Sequence, residues 1–221
     1  MALIPLHERP GWTSVQDEPT NPLAALEGQE LAGGRLRVRL GPTSRFGARY
    51  FVVLLESGGE VAPALAALHH SGPYPSYNWI EVSETNEALV GDDGVPQLFA
   101  RLFDLLPPGG HLMVEYDSPQ RAETARALAR GVPAIATPLG SSLFDLGFGA
   151  KFKDWQIAEG GAEGPRKLQA YKPPAGDYSS RWRDEARADL RAFLSRDTKA
   201  SDPVRAARER AQHVLEQLER G

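Results

Sequence analysis

The sequence predicts a mixed α/β fold of the α+β kind, with a mostly antiparallel sheet flanked by helices and two more helices at the C-terminus. Three observations support this class. Two strand-like segments at 36–40 and 49–56 are separated only by a turn. Residues 111–173 have the order strand, helix, helix, strand, strand, and after residue 173 the composition changes to charged, helix-forming sequence.

Composition excludes several classes of protein. The net charge is −4 and the isoelectric point is about 5.8, whereas a nucleic-acid-binding domain usually carries a basic excess. Cysteine is absent, so disulfides, thiolate metal sites and a cysteine nucleophile are excluded. Neither a signal peptide nor an apolar run of about 18 residues is evident. We therefore expect a cytoplasmic protein without a membrane partner.

The N-terminal half begins with an irregular lead-in at 1–32. The strands at 36–40 and 49–56 then form a hairpin, and Arg45 in its loop is a candidate ligand for an anionic substrate. Residues 61–70 are rich in Ala, with apolar positions at helical spacing, and predict a helix. The alternative for Arg45 is a solvated charge on a hairpin.

The next elements are a strand at 77–82 and an amphipathic helix at 95–106, with Pro96 in its first turn, where a missing N–H costs little. The strand at 111–116 and the helix at 118–130 follow.

A short apolar helix near 141–148 and a polar hairpin at 153–169 complete a domain that we place at 33–175. The segment 176–221 is a helical appendage with helices at 177–195 and 203–218. The apolar stripe of the last helix packs on its own domain or against a second subunit. A homodimer through these helices is therefore one expectation.

Two groups of residues are candidates for chemistry. Glu115 and Asp117 lie two apart on a strand and so share a face, and Glu81 belongs to the preceding strand. Clustered carboxylates raise a pKa and produce a general base. The alternatives are a divalent-cation site and acids that cap the following helix.

The polar hairpin offers residues for binding a small-molecule substrate, with the lysines for an anion and the tryptophan for a flat group: Lys153, Trp155, Glu159 and Lys167.

The order of elements over 36–173, together with the Leu146-Gly147-Phe148 segment, resembles the GNAT acyltransferase superfamily. The resemblance implies an acyl-CoA-dependent N-acyltransferase that uses acetyl-CoA or another acyl-CoA and no metal. Glu81 or Glu115 would act as the base. The cofactor would be held by the strand end and by the turn that opens the next helix, at Val82, Val90, Gly91, Gly94 and Val95.

The sequence departs from that family at two points. Asp92 and Asp93 stand where the pyrophosphate would bind and would repel it. Leu143 stands near the position of the tyrosine that often protonates the departing thiolate. A binding or assembly module without catalysis is therefore the alternative. Residues 106–114 resemble the late part of class I methyltransferases that use S-adenosylmethionine, which makes a degenerate methyltransferase the third interpretation.

A further resemblance covers most of the chain. Gly41-Pro42-Thr43, Thr137-Pro138-Leu139-Gly140 and Lys153-Asp154-Trp155 are similar to segments of a small bacterial and archaeal family of unknown function. This resemblance implies no activity.

Overall fold

The structure is a computed structural model, and it describes residues 13–14, 22–40, 49–57, 60–70, 79–85, 91–116, 121–159, 162–174, 178–196 and 202–220. The chain forms two compact units, Met1–Pro107 and Pro108–Gly221. We call them unit 1 and unit 2 and describe each by itself. The division at 33 and 175, into a lead-in, a domain and an appendage, stays a prediction.

Unit 1 is built on an antiparallel sheet. Its strands are β1 (Thr13–Ser14), β2 (Glu30–Leu31), β3 (Gly34–Leu40), β4 (Arg49–Ser57), β5 (Glu60–His70) and β6 (Trp79–Thr85). Strands β3, β4, β5 and β6 pair in chain order, and β1 and β2 both pair with β3. The alternation in β3 buries Leu36 and Val38 and leaves Arg35, Arg37 and Arg39 on the wetter face.

The predicted helix at 61–70 is wrong, because these residues form β5. This strand pairs with β4 on one side and β6 on the other. Its pairing with β4 is irregular around Pro63, between the partners of Leu54 and Glu56. Proline lacks the N–H that a regular ladder needs, so it occurs in strands at such irregularities.

Helix α1 (Gly91–Leu105) closes unit 1 and begins four residues before the predicted start. Its buried face carries Leu98, Phe99 and Leu102, and it packs against β2 and the short 3₁₀ helix Pro22–Leu26. Arg101 fixes this contact, because its guanidinium donates to the Gln29 side chain at 2.8 Å and to the Glu30 carbonyl.

Unit 2 has a three-stranded antiparallel sheet of β7 (His111–Glu115), β8 (Phe152–Glu159) and β9 (Ala162–Tyr171). The last strand along the chain, β9, lies in the middle and pairs with both of the others. The helices of this unit are α2 (Ala122–Ala129), α3 (Pro138–Asp145), α4 (Tyr178–Leu194) and α5 (Asp202–Arg220).

The C-terminal helices pack within unit 2. Leu190 of α4 and Ala211 and Val214 of α5 are fully buried in a cluster that also includes Ile135 and Ala136. The apolar stripe of α5 therefore packs on its own unit, which agrees with the first of the two arrangements predicted for it. No described helix has the length and apolarity needed to span a membrane.

These features confirm the mixed α+β class with mostly antiparallel strands, flanking helices and two C-terminal helices. A class I methyltransferase needs parallel strands joined by crossovers. The strand pairs described within each unit are antiparallel, so the methyltransferase interpretation is wrong.

Candidate functional site

The predicted cofactor residues that the structure describes lie on β6 and at the start of α1. Val82 is fully buried in β6. The pairing of β6 with β5 skips Ser83, because Leu68 lies opposite Val82 and Ala67 opposite Glu84. Such a bulge interrupts the ladder and re-aims nearby groups, and bulges are frequent beside active sites.

The start of α1 brings two of the predicted glycines close together. Gly91 is the first residue of the helix, Gly94 is buried and Val95 is half-buried, while Val90 lies outside the described residues. A helix start presents unpaired N–H groups and a positive dipole end, which attract anions. Asp92 and Asp93 are the second and third residues of α1, where a carboxylate stabilises the helix itself.

The sheet of unit 2 has one apolar and one polar face. Leu112, Val114, Leu168 and Ala170 share the apolar face and are fully buried. The opposite face of the same two strands carries four residues that include three polar side chains: Met113, Glu115, Lys167 and Gln169. Lys167 and Gln169 are nevertheless buried, which is unusual for such groups unless they are paired.

Glu115 and Lys167 form the centre of this polar face. They are directly opposite each other in the β7–β9 ladder, and the Lys167 ammonium lies 3.8 Å from a Glu115 carboxylate oxygen. The Lys167 side chain is 4% exposed and that of Glu115 is 22% exposed. The structure thus brings together the predicted base and a predicted substrate-binding lysine.

A second polar group lies on the apolar face at the end of β7. The Tyr116 hydroxyl donates to the Asp154 carboxylate, which also accepts from Arg166 at 2.8 Å. The Arg166 guanidinium lies 5.4 Å from the centre of the Tyr116 ring. Arg121 donates to the Glu115 carbonyl at 2.6 Å, so these residues hold the end of the strand that carries Glu115.

Tyr116, Arg121 and Arg166 were not predicted from the sequence as functional residues. A signal was present, because two-residue alternation puts Tyr116, Asp154 and Arg166 on the face of Val114 and Leu168. Charged residues on an apolar face require partners. The alternation alone could not show which strands are neighbours.

The other end of the polar face is aromatic. The His111 and Tyr171 rings are 5.1 Å apart, and Tyr171 and Trp182 are 5.6 Å apart. The Lys151 ammonium lies 4.9 Å from the Tyr171 ring and 4.8 Å from the Trp182 ring, which is the geometry of a cation–π contact. Burial lowers the pKa of His111 to about 4 and raises the pKa of Tyr171.

Two further predicted residues lie opposite residues of the polar face in the β8–β9 ladder, and the rest of those that the structure describes lie elsewhere. Lys153 is exposed on β8, opposite Gln169. In the backbone register Trp155 is opposite Lys167 and Glu81 is opposite His69. The side chains of three predicted residues lie outside the described part of the structure, namely Glu81, Trp155 and Glu159. Arg45 and Asp117 lie outside it altogether.

The Thr137-Pro138-Leu139-Gly140 motif is a structural joint. Thr137 caps α3 by accepting from the Gly140 N–H at 3.1 Å, and its hydroxyl donates to the Ala134 carbonyl at 2.7 Å. A Cβ on Gly140 would lie 1.9 Å from that carbonyl oxygen. Glycine is therefore required here for the close approach of two backbone segments.

Within the ranges that the structure describes, no three His, Asp or Glu side chains are close enough together to hold a metal ion.

Comparisons with known proteins identify a family whose function is unknown. No curated protein matches the chain. The crystal structure of a protein of unknown function, AQ1966 from Aquifex aeolicus VF5, is similar, with a TM-score of 0.64 and 28% sequence identity over 86% of this chain and 96% of that chain. Residues 36–197 match the family model described as Protein of unknown function (DUF1122). This confirms the expectation of a family of unknown function: the chain belongs to the DUF1122 family.

Proposed function

We propose that this protein is an acyl-CoA-dependent N-acyltransferase with a GNAT-like arrangement of strands. The observation that carries the proposal is in unit 1, where the bulged strand β6 leads into the glycine-containing first turn of α1. A bulge frees backbone groups of the strand, and a helix start presents N–H groups to a phosphate. Together they offer contacts for the thioester arm and the pyrophosphate of acyl-CoA.

Unit 2 supports the same proposal through its sheet. The strands β8 and β9 supply the closing pair that the resemblance implies, and β9 pairs directly with β7. The polar face of β7 and β9 places Glu115 beside the nearly buried Lys167. Glu115 on this face is the candidate base that unit 2 offers.

The proposed reaction transfers an acyl group from sulfur to nitrogen. The amine lone pair attacks the thioester carbonyl carbon, and the carbon–sulfur bond then breaks. The amine gives its proton to a carboxylate, Glu81 or Glu115, and the CoA thiolate takes up a proton as it leaves. Glu115 lies 3.8 Å from an ammonium, which competes for the same carboxylate, so Glu81 is the first residue to test.

The test is a thermal shift with acetyl-CoA and with CoA at millimolar concentration. We expect both to stabilise the protein, because a ligand that binds only the folded state raises its melting temperature. The variant Asp92→Asn/Asp93→Asn should bind acetyl-CoA more tightly, because two negative charges are removed from the helix start. Asp184→Asn, on an exposed pair of unit 2, is the matched control and should leave affinity unchanged.

Glu81→Gln and Glu115→Gln then separate the two candidate bases. Loss of turnover with retained acetyl-CoA binding identifies the base, since retained binding shows that the variant is still folded. No thermal shift in either the native protein or the double Asn variant would contradict the acyltransferase proposal.

The second candidate is a binding module without catalysis. It is favoured by the position of Asp92 and Asp93 in the first turn of α1 and by the pairing of Glu115 with Lys167. A homodimer would have to use the exposed, charged faces of the C-terminal helices, because the stripe of α5 is buried within unit 2. Deleting 177–221 would remove part of that core, so the mass of the intact chain in solution is the appropriate test.

A further inference from the structure

Unit 1 contains a cleft of about 600 Å³ between its first strands and α1. This volume is within the range of small-molecule sites, roughly 300–1,000 Å³. Its lining is mostly polar and includes charged side chains of both signs: Glu30, Arg35, Arg37, Glu56, Ser57 and Gln97. Among the residues that the structure describes, none of those predicted from the sequence for a cofactor or substrate lines this cleft.

One wall of the cleft is a compensated ion-pair network. Arg37 donates to Glu27 at 2.9 Å and also to Glu56. These hydrogen bonds, with Glu27 first, raise the pKa of Arg37 above its ordinary value. Arg37 and Glu56 therefore satisfy each other, and we assign them a structural role in the wall.

Arg35 and Glu30, unlike Arg37 and Glu56, are not joined by an ion pair. They are directly opposite each other in the β2–β3 ladder. On its other side, Arg35 is opposite Glu56 in the β3–β4 ladder. Side chains at such positions start about 5 Å apart. Yet neither the Arg35 guanidinium nor the Glu30 carboxylate forms an ion pair or hydrogen bond with another described residue. The cleft thus presents one available positive and one available negative group side by side.

The backbone holds these two groups in place. The β2–β3 turn consists of Ala32 and Gly33, both with positive φ of 48° and 78°, and a non-glycine residue in that region is strained. The Glu30 carbonyl is anchored by Arg101. Gly34 has no room for a side chain, because a Cβ would lie 2.7 Å from the Glu56 carbonyl oxygen. A rigid floor lowers the entropic cost of binding.

We propose that this cleft binds a small zwitterion of the amino-acid class. Arg35 binds the carboxylate, for which its planar guanidinium offers two parallel N–H donors. Glu30 binds the ammonium, and Ser57 and Gln97 provide hydrogen-bonding groups for the remainder of the ligand. The assignment does not depend on the proposed acyltransferase reaction, since it uses no residue of β6 or of the first turn of α1.

The test begins with calorimetric titration of the native protein with a panel of free L-amino acids. For the tightest binder, the N-acetyl derivative and the carboxamide are titrated as well, because each removes one of the two charges. We expect either change to weaken binding by roughly tenfold or more. If no free amino acid binds at millimolar concentration, or if both derivatives bind as well as the parent, the proposal is overturned.

Two variants assign the charges to residues. In Glu30→Gln the free amino acid should bind no better than its N-acetyl derivative, and in Arg35→Gln no better than its carboxamide. Arg181→Gln and Glu185→Gln are matched controls, because they alter an exposed arginine–glutamate pair of unit 2. Full affinity in both cleft variants, or an equal loss in the controls, would exclude this cleft as the binding site.

Discussion

Unit 1 and unit 2 place their ion pairs in different environments. In unit 1 Arg37 bonds to Glu27 and Glu56 on a partly exposed sheet face, with 28% of its side chain accessible. In unit 2 Lys167 pairs with Glu115 while only 4% of its side chain is accessible. Water and salt screen the first pair, whereas a buried charge depends on its partner. Changes to polar groups should therefore cost more in unit 2 than in unit 1.

The largest effect is expected at the structural joint of unit 2. In Gly140→Ala the new methyl group would meet the Ala134 carbonyl oxygen at 1.9 Å, and one of the two backbone segments must move. We expect a loss of about 3 kcal/mol or more in the free energy of unfolding, as for severe overpacking. Guanidinium denaturation followed by circular dichroism measures it.

Gly149→Ala is the control for this prediction. Its Cβ would lie 3.5 Å from Pro173 and from the Tyr171 carbonyl oxygen, which is ordinary contact. If Gly140→Ala were as stable as Gly149→Ala, the backbone at Gly140 and Ala134 would not be as closely packed as the 1.9 Å distance indicates.

The buried ion pair should give the next largest effect. Glu115→Gln removes the carboxylate beside a buried ammonium, which costs about 3 kcal/mol when such a charge loses its partner. Lys167→Met replaces the ammonium with an apolar group of similar length and should cost much less. Denaturation midpoints of the two variants provide the comparison. Equal losses of stability in the two variants would mean that the burial of the Lys167 ammonium does not determine the cost of removing its partner.

The pH dependence of stability should arise in part from His111. Burial lowers its folded-state pKa from 6.5 to about 4, so the unfolded chain binds a proton more readily than the folded one. Its contribution is fully present above pH 6.5 and is lost as the pH falls towards about 4.

Unfolding midpoints over that interval measure this dependence. His111→Gln should show a shallower decline than the native protein, because the variant has no proton to take up at this position. Parallel pH profiles of the two proteins would contradict the assignment to His111.

The partly exposed network of unit 1, whose Arg37 side chain is 28% accessible, should be less sensitive. Glu27→Gln removes a charge that lies 2.9 Å from Arg37 and 3.7 Å from Arg39, but the amide oxygen can still accept from the Val38 N–H. We expect a smaller loss than for Glu115→Gln, and one that shrinks further at high salt. Denaturation at low and high salt concentration tests both points. If the loss of stability did not depend on salt concentration, the network would be less accessible to solvent than its side-chain exposure indicates.

The smallest effect is expected in the β2–β3 turn of unit 1. Ala32 has a φ of 48°, a conformation that Asn tolerates better, and Asn-Gly is a favoured pair in two-residue hairpin turns. Ala32→Asn should raise the free energy of unfolding by roughly 0.5 kcal/mol. Ala32→Val should lower it, because a β-branched residue suits this region poorly. The same sign for both variants would argue against strain at Ala32.

The order of elements could largely be predicted from periodicity and turn residues. Strands β3, β4, β6 and β7 and the helices α1, α4 and α5 lie within a few residues of their predicted bounds. The exception was β5, where alanine-rich sequence favours a helix locally but pairing with two neighbours decides the outcome. Pro63 was no signal against a helix, because it stands in the first turn of the predicted segment, where a missing N–H costs little.

The candidate sites were harder to predict than the elements. Glu115 and Lys167 were each selected from their own strands, but only the register of β7 and β9 shows that they are opposite partners. Arg35 lies just before the strand predicted at 36–40 and was not selected as a candidate. Its relation to Glu30 depends on a tight turn at Ala32 and Gly33, a conformation that alanine seldom adopts and that the sequence therefore did not indicate.

The central position of β9 has a consequence for synthesis on the ribosome. A nascent chain that has emerged only as far as β8 holds two strands of this sheet whose common neighbour is still inside the ribosome, because β9 pairs with both. Until residues 162–171 leave the exit tunnel, these two edges stay open to other chains, and unpaired edges invite aggregation. Translation speed just before this strand is therefore expected to affect the yield of correctly folded protein.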